Sequence, residues 1–266
     1  MTLFCLQYFV KMVTVLPLFL GISVSANPTV WFGDGCFWER QYAYVQVELD
    51  PSGPFKRSNR TVTSVVGYAG SKNAGPGGHV CYDNGGPTDY GDLGHCETVQ
   101  VSLDSGKEKQ QFAALVKDFF DSFTPTAQGF ARPDTPPNLP FGGDQGPSYR
   151  SVVGLPGGIH GPLFSILRAA NVPRGPKNLT MKLKADLQGN GTQDEFNTVY
   201  VMDSSVFPFF RAEQYHQFHS NFFHNPKQPK SDDNGHYPDS YVKDLYQLQI
   251  SLGRIADTGL VSDAHC

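Results

Sequence analysis

Thr29-Val30-Trp31-Phe32-Gly33-Asp34-Gly35-Cys36-Phe37-Trp38-Glu39-Arg40 begins extended and apolar, breaks at two glycines, and then sets a cysteine where a helix can start. A run of β-branched and aromatic residues predicts a strand. A helix N-terminus presents unpaired N–H groups and a partial positive charge, conditions that favour a thiolate. A lone cysteine in a strand-to-helix turn is more often buried and inert. Cys36 therefore takes its meaning from the rest of the chain.

Working outward, Tyr44 to Glu48 alternates as a short strand, ended by Asp50-Pro51-Ser52-Gly53-Pro54. Thr61 to Tyr68, rich in Val and Thr, reads as another strand. Ala69 to Leu93 is a long loop, and Cys96 to Leu103 a strand with Val99, Val101 and Leu103 on one face. Ser105-Gly106-Lys107-Glu108 forms a capping-box pattern. It opens a helix with Phe112, Leu115, Val116, Phe119 and Phe120 on the core face. Pro125 to Pro147 is a loop, Tyr149 to Val153 a strand, Pro162 to Ala170 a helix and Lys177 to Asn197 a polar insertion. Thr198 to Met202 is a strand, and Ala212 to Phe223 reads as helical. A polar linker, Ser231 to Tyr237, leads to a helix from Ser240 with Tyr241, Leu245, Leu248, Leu252 and Ile255 on one face. The order predicts one α+β domain with a C-terminal helical arm.

Aromatic content of 13%, hydrophobic content of 39% and a net charge of −4 over 266 residues describe a globular protein. The acidic balance excludes nucleic acid or an anionic membrane as the main partner. Residues 1–26 read as a secretory signal ending in small residues at Ala26. Three sequons, at Asn59, Asn178 and Asn190, fit an exported glycoprotein of the secretory pathway, extracellular or in an organelle lumen. Past the signal, four cysteines remain, Cys36, Cys81, Cys96 and Cys266, enough for a small redox relay in an oxidising compartment. His79, Cys81, His95 and Cys96 are zinc-type ligands, but their spacing lacks the short paired loops of a structural zinc site. No metal is expected.

Five segments occur in order: Gly35-Cys36-Phe37-Trp38, Val66-Gly67-Tyr68-Ala69-Gly70, Gly94-His95-Cys96-Glu97, Asp144 to Ser151, and Ala212-Glu213-Gln214-Tyr215-His216-Gln217. Together they resemble the A-type peptide methionine sulfoxide reductases over roughly residues 29 to 220. The resemblance implies a two-layer α+β sandwich around a mixed sheet with a ferredoxin-like core. It makes 27–230 the catalytic domain and 231–266 an arm carrying a candidate resolving cysteine.

It also implies a chemistry, the reduction of methionine S-sulfoxide, free or in oxidised proteins. Cys36 would attack the sulfoxide sulfur, and Glu97 would protonate the oxygen, which requires burial to keep it a neutral acid. Asp144 and Tyr149 would hold the oxygen or a water. The family's second phenol falls in a loop whose register is lost; Tyr82 and Tyr90 both qualify, and Tyr90 lies nearer Glu97. Phe37 and Trp38 would bind the substrate methyl. The resulting Cys36 sulfenic acid would condense with a second thiol, Cys266 or Cys96, and the disulfide be cleared by a thioredoxin-like protein or small dithiol, with no bound cofactor. Cys81 and Cys96 are an alternative pair. A monomer is expected.

The chain departs from the family at Glu39 (commonly glycine), Cys96 (typically alanine) and Ser148 (commonly glutamine). His216 and Glu213 read as residues that pack and hydrogen-bond the core rather than do chemistry. Two other readings stand beside this one. The first is a secreted, non-catalytic binder of methionine sulfoxide; the second is a Cys-His hydrolase, for which no motif places an oxyanion site.

Overall fold

A computed structural model describes residues 27–127, 129–133, 145–218 and 240–254. The elements run β1 (Thr29–Gly33), α1 (Phe37–Leu49), β2 (Val65–Ala69), β3 (Cys96–Ser102), α2 (Glu108–Ser122), a two-stranded hairpin of β4 (Thr124–Pro125) and β5 (Phe130–Ala131), β6 (Val152–Leu155), α3 (Phe164–Ala170), β7 (Lys182–Ala185), β8 (Thr198–Asp203), β9 (Phe210–Arg211) and α4 (Ser240–Ser251). Seven strands form one sheet in the order β7-β8-β6-β1-β3-β2-β9. Its centre, β6-β1-β3-β2, is antiparallel throughout. With α1 and α2 this gives the βαββαβ chain order of a ferredoxin-like unit. β8 joins β6 in parallel and β7 joins β8 in parallel, so the sheet is mixed.

Strand alternation sorts the sheet into two faces. Val30, Phe32, Val66, Tyr68, Val99, Val101, Val153 and Val201 face the helices, where they pack with Phe112, Leu115, Val116, Phe119 and Phe120 of α2. Trp31, Ala69, Cys96, Val152, Tyr200 and Met202 form a separate cluster with Phe207. The α+β sandwich expected from the sequence is therefore present, with the aromatic stripe of α2 wholly in its core.

Several elements differ from the sequence reading. Tyr44 to Glu48 is not a strand but the second half of α1, whose buried positions Phe37, Arg40, Gln41, Tyr44, Val45 and Glu48 recur at helical spacing. Five alternating residues were too short a window to reveal that period. The strand expected from Thr61 starts only at Val65. The buried Glu48 carboxylate takes the N–H groups of Thr63 and Ser64, each at 2.8 Å, and withdraws them from a ladder. The capping box does not form. Lys107 caps α2, and Ser105 Oγ bonds Asn27 instead.

Tyr149 sits on a 3₁₀ turn before β6, not in the strand. The polar insertion contributes β7 to the sheet edge. The late helix from Ala212 reduces to a 3₁₀ turn, Gln214–His216, and its reach to Phe223 lies outside the described residues. Helix α4 forms as expected, and Leu245 packs on Val45, Val62 and Phe218.

His95 marks the entry to β3. It is 1% exposed, and its Nε2 lies 2.8 Å from the Asn73 carbonyl, to which the neutral ring donates. Burial pushes its pKa down to about 4. A histidine depressed in the fold binds its proton more readily when unfolded. Stability from this residue is complete above its unfolded pKa of about 6.5 and is lost as pH falls toward 4, by about 3 kcal/mol. His95→Gln removes the titration and keeps a donor near the Nε2 position. Urea unfolding at pH 7 and pH 4 is expected to show an acid loss about 3 kcal/mol smaller in the variant; equal losses would reject the assignment.

Candidate active site

The topology brings four strand ends together. β1 ends at Gly33, β3 begins at Cys96, β2 ends at Ala69, and β6 begins at Val152. The register sets Tyr68 opposite Glu97 and Gly33 opposite Val152. Gly33 lies so close to β3 that a Cβ would stand 2.5 Å from the Glu97 carbonyl oxygen. Gly35, at φ 112, takes a conformation that side chains disfavour and turns the chain into α1. The turn is pinned from behind, since buried Asp34 pairs with Arg40 at 3.1 Å and accepts from Ser122 Oγ of α2 at 2.8 Å.

Cys36 is the N-cap of α1, 5% exposed, and not in a disulfide. The next backbone N–H, of Phe37, donates to Glu97 Oε2 at 2.9 Å. One residue therefore separates the sulfur-bearing position from the carboxylate that caps its helix. Glu97 is 2% exposed.

Phenols surround the carboxylate. Tyr90, 3% exposed, stacks on Tyr68 with ring centroids 4.7 Å apart and on Tyr82 at 5.8 Å. Its hydroxyl is hydrogen-bonded to that of Tyr149. Burial pushes the Tyr90 pKa well up, so it stays a neutral phenol. Phe37 and Trp38 stack at 6.5 Å and form an aromatic wall beside Cys36.

Of the residues singled out in the sequence, Cys36, Glu97, Tyr90, Tyr149, Tyr82, Phe37 and Trp38 converge here. Asp144 and Cys266 lie outside the described residues. Cys96 does not converge. It points to the opposite face of the sheet, is fully buried, and donates to the Ala69 carbonyl at 3.4 Å. Burial pushes its thiol up to about 11. The alternative pairing of Cys81 with Cys96 is also overturned: Cys81 is disulfide-bonded, and Cys96 is a thiol. Among the described residues no group of three or more His, Cys, Asp or Glu side chains is placed to hold a metal.

Glu213 and His216 pack and hydrogen-bond the core, as the sequence reading expects. Glu213 accepts the Tyr68 hydroxyl at 2.6 Å and the Tyr82 N–H at 2.7 Å, and His216 accepts the Trp38 indole N–H at 3.1 Å. Their spacing of three in Glu213-Gln214-Tyr215-His216 was the signal available in the sequence.

Arg150 holds the loops that carry the site. Its buried guanidinium donates to the carbonyls of Pro147 at 2.8 Å and of Gly70 and Gly94 at 3.1 Å. These precede Tyr149, follow Tyr68, and precede Glu97. Arg150→Met is expected to cost about 3 kcal/mol or more, since carbonyls that accepted from a charged donor are left buried. Urea unfolding measures it, and a loss under 1 kcal/mol would deny the clamp.

Fold and site define a thiol-based centre, in which a helix-capping cysteine, a buried carboxylate and paired phenols share one end of a ferredoxin-like sheet. In sequence, the chain is similar to a peptide methionine sulfoxide reductase. It is 29% identical to the "Peptide methionine sulfoxide reductase MsrA" of Trichodesmium erythraeum over 203 residues, 76% of this chain and 85% of the relative. No family model matches it. Among solved structures, methionine sulfoxide reductase A of Corynebacterium diphtheriae covers 80% of this chain and 84% of its own, at 18% identity and a TM-score of 0.43. Mxr1 of Saccharomyces cerevisiae in reduced form covers 80% and 93%, at 20% identity and a TM-score of 0.40.

Proposed function

We propose that this protein reduces methionine S-sulfoxide, free or in oxidised proteins, through a sulfenic acid on Cys36. The observation that carries the reading is the hydrogen bond from the Phe37 N–H to Glu97 Oε2, which sets a buried carboxylate one residue from the thiol. Cys36 attacks the sulfoxide sulfur as a thiolate. Glu97 gives its proton to the oxygen; with Oε2 already accepting from Phe37, that proton belongs on Oε1. The oxygen passes to Cys36: a sulfur–oxygen bond forms on the cysteine, the substrate's sulfur–oxygen bond and the transient sulfur–sulfur bond break, and the electron pair leaves on the thioether, giving methionine and a Cys36 sulfenic acid. Tyr90, a neutral phenol hydrogen-bonded to Tyr149, holds the oxygen together with it, with Tyr82 beside them. Phe37 and Trp38 form the dry wall for the methyl.

The sulfenic acid then condenses with a thiol to a disulfide and water, and an external dithiol restores both cysteines. Cys96 is poorly suited to resolve it, being across the sheet; Cys266 on the C-terminal arm takes that role once an external dithiol has reduced the disulfide that holds Cys81. The secreted reading belongs to the same proposal. Asn178 and Asn190 are exposed and Asn59 half-buried, so glycans can be attached at the first two without disturbing the core. Among the described residues no helix is long and apolar enough to cross a membrane.

The test is dithiothreitol-driven reduction of separated methionine sulfoxide epimers. Methionine is expected from the S epimer and not the R. Binding of the S epimer without release of methionine would replace the enzyme with a binding protein.

A further inference from the structure

We propose that His216 is the positioning residue for the Trp38 indole, and through it for the apolar wall of the site; what that wall binds rests on the sulfoxide reading above. Trp38 is the second residue of α1 and only half-buried, so helix packing alone does not fix its ring. Its Nε1–H donates to His216 Nδ1 at 3.1 Å. An indole nitrogen is a donor only, so Nδ1 must be the acceptor and the imidazole proton sits on Nε2. Nε2 in turn faces Glu213 Oε2 at 3.8 Å, too far for a hydrogen bond but close enough for the carboxylate to favour a proton on that side.

Glu213 is itself fixed from two elements. It accepts the Tyr68 hydroxyl from β2 at 2.6 Å and the Tyr82 N–H at 2.7 Å. A chain of contacts thus runs from the central sheet through Glu213 and His216 to Trp38. The imidazole also packs against three site aromatics, with ring centroids 5.6 Å from Trp38, 5.2 Å from Phe37 and 4.5 Å from Tyr82. It acts on the rotamer of the wall, and hence on how well the wall receives an apolar group.

Two substitutions separate this role from packing. Asparagine places an amide oxygen near the position of Nδ1, while glutamine places its amide near Nε2. Both lose the ring equally. Relative to the native enzyme, His216→Gln is expected to raise KM for methionine S-sulfoxide about tenfold with kcat within about threefold, and His216→Asn to keep KM within about threefold. A readout independent of turnover is the indole N–H resonance in nitrogen-15 NMR. The chain has two tryptophans, and Trp31 Nε1 has no partner among the described residues. The Trp38 signal, assigned by Trp38→Phe, is expected downfield and slow to exchange in the native protein and His216→Asn, and shifted with faster exchange in His216→Gln.

Equal rises in KM for both variants, or a Trp38 signal unchanged in His216→Gln, would overturn the assignment. If the native protein turned over no sulfoxide, the enzymatic reading would fail, and the NMR comparison alone would still decide the role of His216.

Discussion

Cys36→Ser is expected to abolish reduction of methionine S-sulfoxide, with turnover falling by at least about 10⁴-fold. Serine is nearly isosteric and is itself a favoured N-cap, so α1 keeps its start and the variant should fold as the native protein does. What is lost is chemical. An alcohol at neutral pH is a far weaker nucleophile than a thiolate. Its oxygen also cannot take up the sulfoxide oxygen as a sulfenic acid. The epimer-resolved assay reads the loss directly, and a sulfenic-acid trap applied after one turnover without reductant should label the native protein and not the variant. Turnover within tenfold of native would remove Cys36 from the chemistry and leave the site without a nucleophile.

Much of this centre could be read from the chain because it is assembled by local rules. The strand-turn-helix around Gly33 and Gly35 carries its own punctuation, and the alternation in β3 already put Glu97 on the same face as Val99 and Val101. That alternation also contained the answer for Cys96, whose neighbour Glu97 faces the helices and which must therefore face away. What could not be read was set by long-range polar contacts. The start of β2 is delayed because the Glu48 carboxylate takes the N–H groups of Thr63 and Ser64, which no short window of sequence encodes. The share of Tyr82 and Tyr90 in the site depended on a loop tied to itself, with Tyr90 N–H on the Cys81 carbonyl at 2.9 Å, so both rings come in together. The roles of Glu213 and His216 rest on partners more than a hundred residues distant.

Glu97→Gln is expected to lower kcat by about 10²- to 10⁴-fold, the range for losing a positioned general acid. Glutamine keeps an oxygen that can accept the Phe37 N–H, so the cap of α1 and the placement of Cys36 survive. Its amide cannot release a proton. The effect should therefore fall on kcat, with KM changed little, and alkylation of Cys36 should proceed at about the native rate. That combination distinguishes loss of the acid from damage to the nucleophile. A kcat within about threefold of native would mean that another group supplies the proton. Tyr90 is a poor substitute on electrostatic grounds. Burial makes its hydroxyl a weak acid, able to donate a hydrogen bond to the oxygen but reluctant to part with the proton. Burial thus confines Tyr90 to holding the oxygen that Glu97 protonates.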